Sequence, residues 1–290
     1  MTKKWFFFAI IAICASIAFN ACKDKDDDDP IDDGKIDPST IAAANLIAYF
    51  PFESETGSIS KGDGITFGKK VGAASFVEGR RGNAYKGSAN EAYLEFNVAA
   101  SNPFKTMKEF TIAAWVKTPP AGGAAMIFQM NGGDDFMGNL DFFLEGGADE
   151  DELDFKGYLF NSASPEWKGQ DIRTKDPAFP TDKWVHVAFS YNKATSTMSL
   201  WASGLLVFSQ EKFAGPEDDD GSQPSLGDLV LGQNMTKINI GAWAQQIADD
   251  GQDWMKYYPG LLDELRIYNK ALSEQEMKDL YDAEVTQINE

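Results

Sequence analysis

Two apolar alternations constrain this chain more than anything else in it. In Phe110-Thr111-Ile112-Ala113-Ala114-Trp115-Val116-Lys117, the side chains of Phe110, Ile112, Ala114 and Val116 fall on one face of an extended backbone. The run Trp184–Tyr191 repeats the pattern: Val185, Val187, Phe189 and Tyr191 form a stripe opposed by Trp184, His186, Ala188 and Ser190. A period of two is the signature of a strand with one face on a core. Shorter segments continue the series. Leu46-Ile47-Ala48-Tyr49-Phe50-Pro51-Phe52 is a buried-type run that Pro51 confines to an edge or a strand end. Ala92, Leu94 and Phe96 share a face. Thr197–Trp201 and Leu205–Phe208 flank Ala202-Ser203-Gly204, a hairpin turn by its length and its glycine. Lys237–Gly241 and Leu265–Tyr268 close the series.

A single helix is expected, at the C-terminal end. Ser273-Glu274-Gln275-Glu276 is a capping box, Leu272 and Met277 form the matching hydrophobic staple, and Met277, Leu280 and Tyr281 share one face. Many strands, Gly-rich turns and one terminal helix give an all-β antiparallel sandwich. Its body, from Asn45 to about Asp282, is within the range of one large all-β domain.

The N-terminus reads differently. Lys3 and Lys4 precede an apolar stretch, Trp5 to Phe19, that is too short for a membrane span and reads as a secretory signal over residues 1–21. Its end, Phe19-Asn20-Ala21-Cys22, resembles a bacterial lipobox, which implies cleavage after Ala21 and acylation of Cys22; Phe19 stands where the lipobox usually has Leu. An ordinary cleaved signal followed by a leftover cysteine is the alternative. Cys14 leaves with the signal, so the mature chain keeps one thiol and no internal disulfide is open to it. Residues 22–44 read as a disordered tether. Its acidic run, Lys23 to Asp29, resembles the surface-export signal of lipoproteins in Gram-negative glycan-foraging bacteria, and like charges in a block also keep a spacer extended. The expected location is the outer membrane, reached through a lipid anchor and facing the cell exterior.

The formal net charge of −19 becomes about −21 once the signal's lysines are gone. Such a balance excludes nucleic acid, whose phosphates need a Lys/Arg surface, and argues against anionic membranes and strongly anionic polysaccharides. Neutral glycan, cation or protein partners remain.

Several blocks together resemble the laminin-G-like jelly roll of the concanavalin A-like lectin/glucanase fold. They are Leu46–Glu53, Arg81–Ser88 with Ala92–Phe96, Phe110–Lys117, Trp184–Tyr191 and, most specifically, Gly260–Ser273. The resemblance implies a jelly-roll sandwich over residues 45–286. The stretch from about 131 to 180 matches poorly and reads as an insertion. The resemblance also implies a structural calcium between the loop after the first strand and the acidic pair before the last, with Glu53 and Asp263 as its candidate ligands. The first half of that pattern is weak here, Glu53-Ser54-Glu55-Thr56-Gly57 standing where the family has Asp-x-Ser-Gly-Asn-Gly. The acidic loops at Asp218–Gly221 and Asp249–Asp253 resemble cation loops only loosely.

Related glycosidases carry Glu-x-Asp-x-(x)-Glu on one strand. Glu152 and Asp154 supply its first two carboxylates, but Lys156 and Gly157 stand where the third belongs. His186 is the only histidine and reads as a packed or rim residue; no nucleophile can be placed beside it, and no phosphate loop, zinc spacing or dinucleotide fingerprint occurs. Trp167, Phe136, Trp243, Trp254, Tyr257 and Tyr258 lie in loops or at strand ends. Aromatic faces stack on sugar rings and also anchor protein interfaces, while some cap a core instead. Trp167, Trp243, Trp254, Tyr257 and Tyr258 are the carbohydrate-binding candidates. The expectation is a non-catalytic, lipid-anchored domain that binds glycan. An adhesin or structural subunit that binds protein is the first alternative, and a glycoside hydrolase or polysaccharide lyase is the second.

Overall fold

The computed structural model describes residues 36–56, 59–132, 137–146, 152–232 and 234–286. Signal residues 1–21, Cys22 and the acidic run lie outside them, as does Phe136. A compact unit spans Lys35–Glu290. Among the described residues no helix is long and apolar enough to cross a membrane.

The strands are β1 (Leu46–Phe50), β2 (Ile65–Gly72), β3 (Ser75–Glu78), β4 (Asn83–Lys86), β5 (Ala92–Val98), β6 (Phe110–Lys117), β7 (Gly123–Met130) and β8 (Leu140–Gly146), followed by β9 (Glu152–Phe160), β10 (Gly169–Pro180), β11 (Val185–Asn192), β12 (Thr197–Ala202), β13 (Leu205–Glu211), β14 (Lys237–Ile240), β15 (Met255–Lys256) and β16 (Leu261–Tyr268). They form two sheets. The first runs β13-β12-β11-β6-β16-β4-β3, with β1 also on β16; the second runs β10-β9-β8-β7-β14-β5-β2, with β15 on β7. The pairings are antiparallel except for the short β15–β7 pair. This is the expected sandwich.

The alternating stripes read from the sequence face each other across its interior. Phe110, Ile112, Ala114 and Val116 of β6, Val187, Phe189 and Tyr191 of β11, and Ala92, Leu94 and Phe96 of β5 all enter one core. The two-residue turn Ser203-Gly204 has φ of 48° and 77°, the left-handed pair that a tight hairpin requires, and joins β12 to β13.

Two boundaries differ from expectation. The stretch 131–180 builds β8, β9 and β10 of the second sheet and puts Phe142, Leu144, Phe155, Leu159 and Ile172 into the main core. Its described residues are thus part of the sandwich itself. Its low match has a physical reason: strands specify alternation, which many sequences satisfy. The domain also begins before Asn45. A 3-10 turn at Pro38–Thr40 is capped by the Asp37 carboxylate, Pro38 is buried, and Ile41 and Ala42 pack on the outside of the first sheet.

A short helix, α1 (Ala244–Ile247), crosses the outer face of the second sheet, and α2 (Glu274–Thr286) covers the outer face of the first. The capping box forms as read: Glu276 N donates to Ser273 Oγ at 3.2 Å and Ser273 N to Glu276 Oε2 at 2.9 Å. Leu272, Met277 and Leu280 bury against Ala113, Ala188, Trp201 and Tyr268 in a second core.

What fixes α2 is ionic. Glu284, 1 % exposed, accepts from Arg266 Nε at 3.0 Å and from Trp115 Nε1 at 2.8 Å. The same guanidinium donates to Glu264 at 2.6 Å, and Arg81 and the Tyr49 hydroxyl complete that carboxylate. Arg266 also lies over the Tyr49 ring, 3.9 Å from its centroid. Burial pushes the Glu284 carboxyl up while Arg266 pulls it down. His186 is packed, as expected, between Trp115 and Tyr281, and burial pushes its pKa down to about 3, so it is neutral at physiological pH.

Breaking a buried ion pair from one side leaves a stranded charge. Arg266→Met should therefore lower unfolding stability by about 3–5 kcal/mol in urea at neutral pH. A loss below about 1 kcal/mol would show that the network is not load-sharing at all.

Candidate functional site

Glu264 occupies a β-bulge in β16, with φ of 52° and a register shift against β6 between Asp263 and Arg266. The bulge sends neighbouring carboxylates to different places: Glu264 to the arginines, Asp263 to the turn between β3 and β4. There Asp263 Oδ2 accepts from Arg81 N at 2.9 Å and its Oδ1 from Glu264 N at 2.8 Å. Glu53 Oε2 accepts from Asn83 N, also at 2.9 Å, in the same turn. A Cβ at Gly79 would meet Ala84 N at 2.8 Å as well as Asp263 Oδ2 at 2.6 Å, and Gly82, at φ 57°, has the Glu53 carboxylate where a Cβ would go, so the turn brings both carboxylates up against glycine backbone. Burial pushes Asp263 up to about 8 against the pull of its backbone donors. Glu53 and Asp263 thus both accept from backbone amides of one turn. Among the described residues, however, no group of three or more His, Cys, Asp and Glu side chains comes together to hold a metal. A calcium here would have to take its other ligands from backbone oxygens.

The five aromatic candidates separate. Trp243 is fully buried: its Nε1 donates to Ala124 O at 2.9 Å and its ring packs on Phe143, with centroids 5.0 Å apart. Tyr258 is fully buried too, its hydroxyl paired with Thr118 and Leu261 O. Neither presents a face to a sugar, and both are core rings; polar tips that find partners inside allow such burial. Tyr257 is half-buried, and burial beside Glu91, Tyr93 and Asp249 pushes its hydroxyl up. Trp167 and Trp254 are exposed, at 42 % and 43 %. They do not converge. Trp254 O accepts from Ala124 N at the start of β7, whereas Trp167 lies in the β9–β10 connection, at the end of the sheet where β7 finishes.

Trp254 stands edge-on to buried Trp243, with centroids 5.2 Å apart and planes at 81°. An exposed ring is thereby held in one orientation by an immobile one. Asp249, Asp250 and Asp253 lie exposed in the same connection.

Beyond α1, the outer face of the second sheet carries a polar row that sequence reasoning missed. By strand register Glu95, Asn239, Gln129, Asp141, Tyr158 and Asp171 follow one another across β5, β14, β7, β8, β9 and β10. Gln129 Oε1 accepts from Ala244 N at 2.6 Å, yet its Nε2 and the Oδ1 of its neighbour Asn239 have no partner among the described residues, although both residues are buried. One spare donor beside one spare acceptor is the complement of a hydroxyl or a water. The signal was present as the polar half of each alternation, but only strand pairing puts those halves in line.

Asp154 and Lys156 share the outer face of β9, and Lys156 forms an ion pair with Glu145 of β8. A lysine with its own partner therefore occupies the place of a third carboxylate; the Glu152 side chain lies outside the described residues.

Among curated proteins none matches the sequence. Solved structures do. The binding domain of Paraclostridial Mosquitocidal Protein 1 is 18 % identical with a TM-score of 0.54, over 82 % of this chain and 52 % of that one. Domain 4 of AbnA, a GH43 extracellular arabinanase from Geobacillus stearothermophilus solved with arabinotriose, is 18 % identical with a TM-score of 0.52, over 82 % and 98 %. The binding domain of botulinum neurotoxin DC, solved with rat synaptotagmin II, is 12 % identical with a TM-score of 0.52, over 83 % and 52 %. The chain thus spans about half the length of the toxin binding domains it resembles, and at these identities the likeness is one of fold. The sequence itself matches the family Laminin_G_3, described as the concanavalin A-like lectin/glucanases superfamily, over residues 88–278. By that match and by its two packed antiparallel sheets, the chain belongs to the Laminin_G_3 family of concanavalin A-like lectin/glucanase domains.

Proposed function

We propose that this domain is a non-catalytic binding module for neutral glycan, held at the outer membrane surface by acylated Cys22. The observation that carries the glycan reading is the Trp254 ring, 43 % exposed and fixed edge-on by Trp243 beside three exposed aspartates. A rigid aromatic face takes the axial C–H groups of a sugar, and carboxylates take its hydroxyls. The strongly acidic composition favours an uncharged ligand. The fold neighbour solved with arabinotriose supports the same class, while the one solved with synaptotagmin II keeps a protein partner as the second reading. The non-catalytic reading is supported by Lys156 and its Glu145 partner, where the glycosidase pattern needs an acid.

Calcium at Glu53 and Asp263 belongs to the same proposal. Asp263 is buried with neutral backbone amides as its hydrogen-bond partners, and a hard cation would take the place of the proton that burial favours there. A neutral-glycan array probed with and without EDTA should show binding that falls about tenfold or more in Trp254→Ala, the loss of roughly one stacking contact. Chelation should lower the melting temperature without changing which glycans bind. Failure to bind any glycan, with binding of a surface protein instead, would favour the adhesin reading.

For the anchor, several acyl chains on one residue supply the multiple hydrophobic signals that stable membrane attachment needs. Cys22→Ala should release soluble protein or leave it unprocessed. An intact mass showing unmodified Cys22 in the native protein would contradict the anchor, and protease shaving of whole cells would report which side of the membrane the domain faces.

A further inference from the structure

The outer face of the first sheet, opposite the Trp254 platform, carries a trench between edge strand β13 and the first turn of α2. Two adjoining cavities of about 470 and 300 Å3 make it up, sharing Trp201, Leu206 and Glu274 in their walls. These volumes lie in the ~300–1,000 Å3 range of small-ligand sites.

Strand register explains the trench. Ser190, Ser199 and Ser209 are cross-strand partners on β11, β12 and β13, so one transverse row consists of small hydroxyl side chains. The next row is Ala188, Trp201 and Leu206. On β11 and β12 the two rows lie two residues apart, about 7 Å, and adjacent strands are about 4.8 Å apart; on β13 the irregularity opposite Leu200 and Trp201 brings Ser209 and Leu206, three residues apart, to the same trench. Small serines therefore cut a channel beside an apolar ridge. Leu206 is 42 % exposed, and the Trp201 indole is immobilised by its Nε1 donating to Ser190 Oγ at 2.9 Å. The N-cap turn of α2 closes the far wall with Ser273 and Glu274.

The charge of the trench narrows what it takes. Its cation, Lys278, is already paired with Asp282, the capping box occupies the amides of Ser273 and Glu276, and the Glu274 carboxylate lies in both walls. Nothing in it favours an anion. Hydroxyls that both donate and accept, set beside an apolar ridge at sugar-ring spacing, match a pyranose or furanose ring, which has the same two kinds of surface.

We propose that this trench is a second binding site for neutral oligosaccharide, separate from the Trp254 platform on the other sheet. A chain recognised at both faces would be held with an avidity that neither face gives alone.

The test is backbone amide shift mapping of the full domain with arabinotriose, xylotriose, mannotriose and cellotriose, each added alone, and with galacturonotriose as the charged control. At least one neutral trisaccharide should produce saturable shifts at Ser199, Leu206, Ser209 and Ser273. Ser209→Tyr, at an exposed edge position, should weaken that binding by about tenfold or more. Leu206→Ala provides a second variant that removes the ridge without filling the trench, and Trp254→Ala should leave these shifts in place. Shifts confined to the Trp254 side would overturn this site and leave the proposed function standing. Shifts confined to the trench would support it while removing the platform. No response to any neutral trisaccharide, a response to galacturonotriose alone, or trench shifts unchanged in both folded variants would overturn it.

Discussion

The buried guanidinium of Arg266, held between Glu264 and Glu284, is the contact on which the outer half of this molecule depends. Three ionisable side chains at 1–2 % exposure carry a large desolvation cost, and only full hydrogen bonding repays it. Tyr49, Arg81 and Trp115 supply the remaining partners, and they come from β1, the β3–β4 turn and β6. The network therefore ties the first strand, the last strand and the C-terminal helix into one unit. The apolar contacts of α2 add area, but the ion pairs set its position. The trench beside β13 exists only because α2 is fixed there, its capped first turn forming the wall.

The same bulge that aims Glu264 at Arg266 aims Asp263 at the glycine turn. One left-handed residue in a strand thus serves both the clamp and the candidate calcium position. A substitution at Glu264 would disturb both, and their effects would not be separable from that position alone.

Much of the fold was legible because strands advertise themselves locally. The stripes of β5, β6 and β11, the Ser203-Gly204 turn and the capping box each follow from side-chain spacing within a few residues, and each formed as read. What the chain hid was long-range. The segment holding β8 to β10 has ordinary alternation but an unfamiliar sequence, and its membership of the sheet is decided by partners elsewhere. Helix α1 is a single turn, too short to show a period. The candidate site was legible in part. Exposure separated Trp167 and Trp254 from Trp243 and Tyr258, and no property of an isolated tryptophan or tyrosine foretells which will be covered. The polar row through Gln129 and Asn239 and the serine row through Ser199 are both products of register, which a single sequence does not state.

The claim that the Arg266 clamp seats α2 as part of the folded body is tested most directly by native-state hydrogen exchange of the α2 amides. Those of Leu280 to Glu284 should exchange only through global unfolding, with the same free energy as the amides of β6 and β11 and the same dependence on urea. Exchange of these amides at a free energy well below that of the sheets, with little urea dependence, would mean that the helix opens on its own and that the clamp does not hold it.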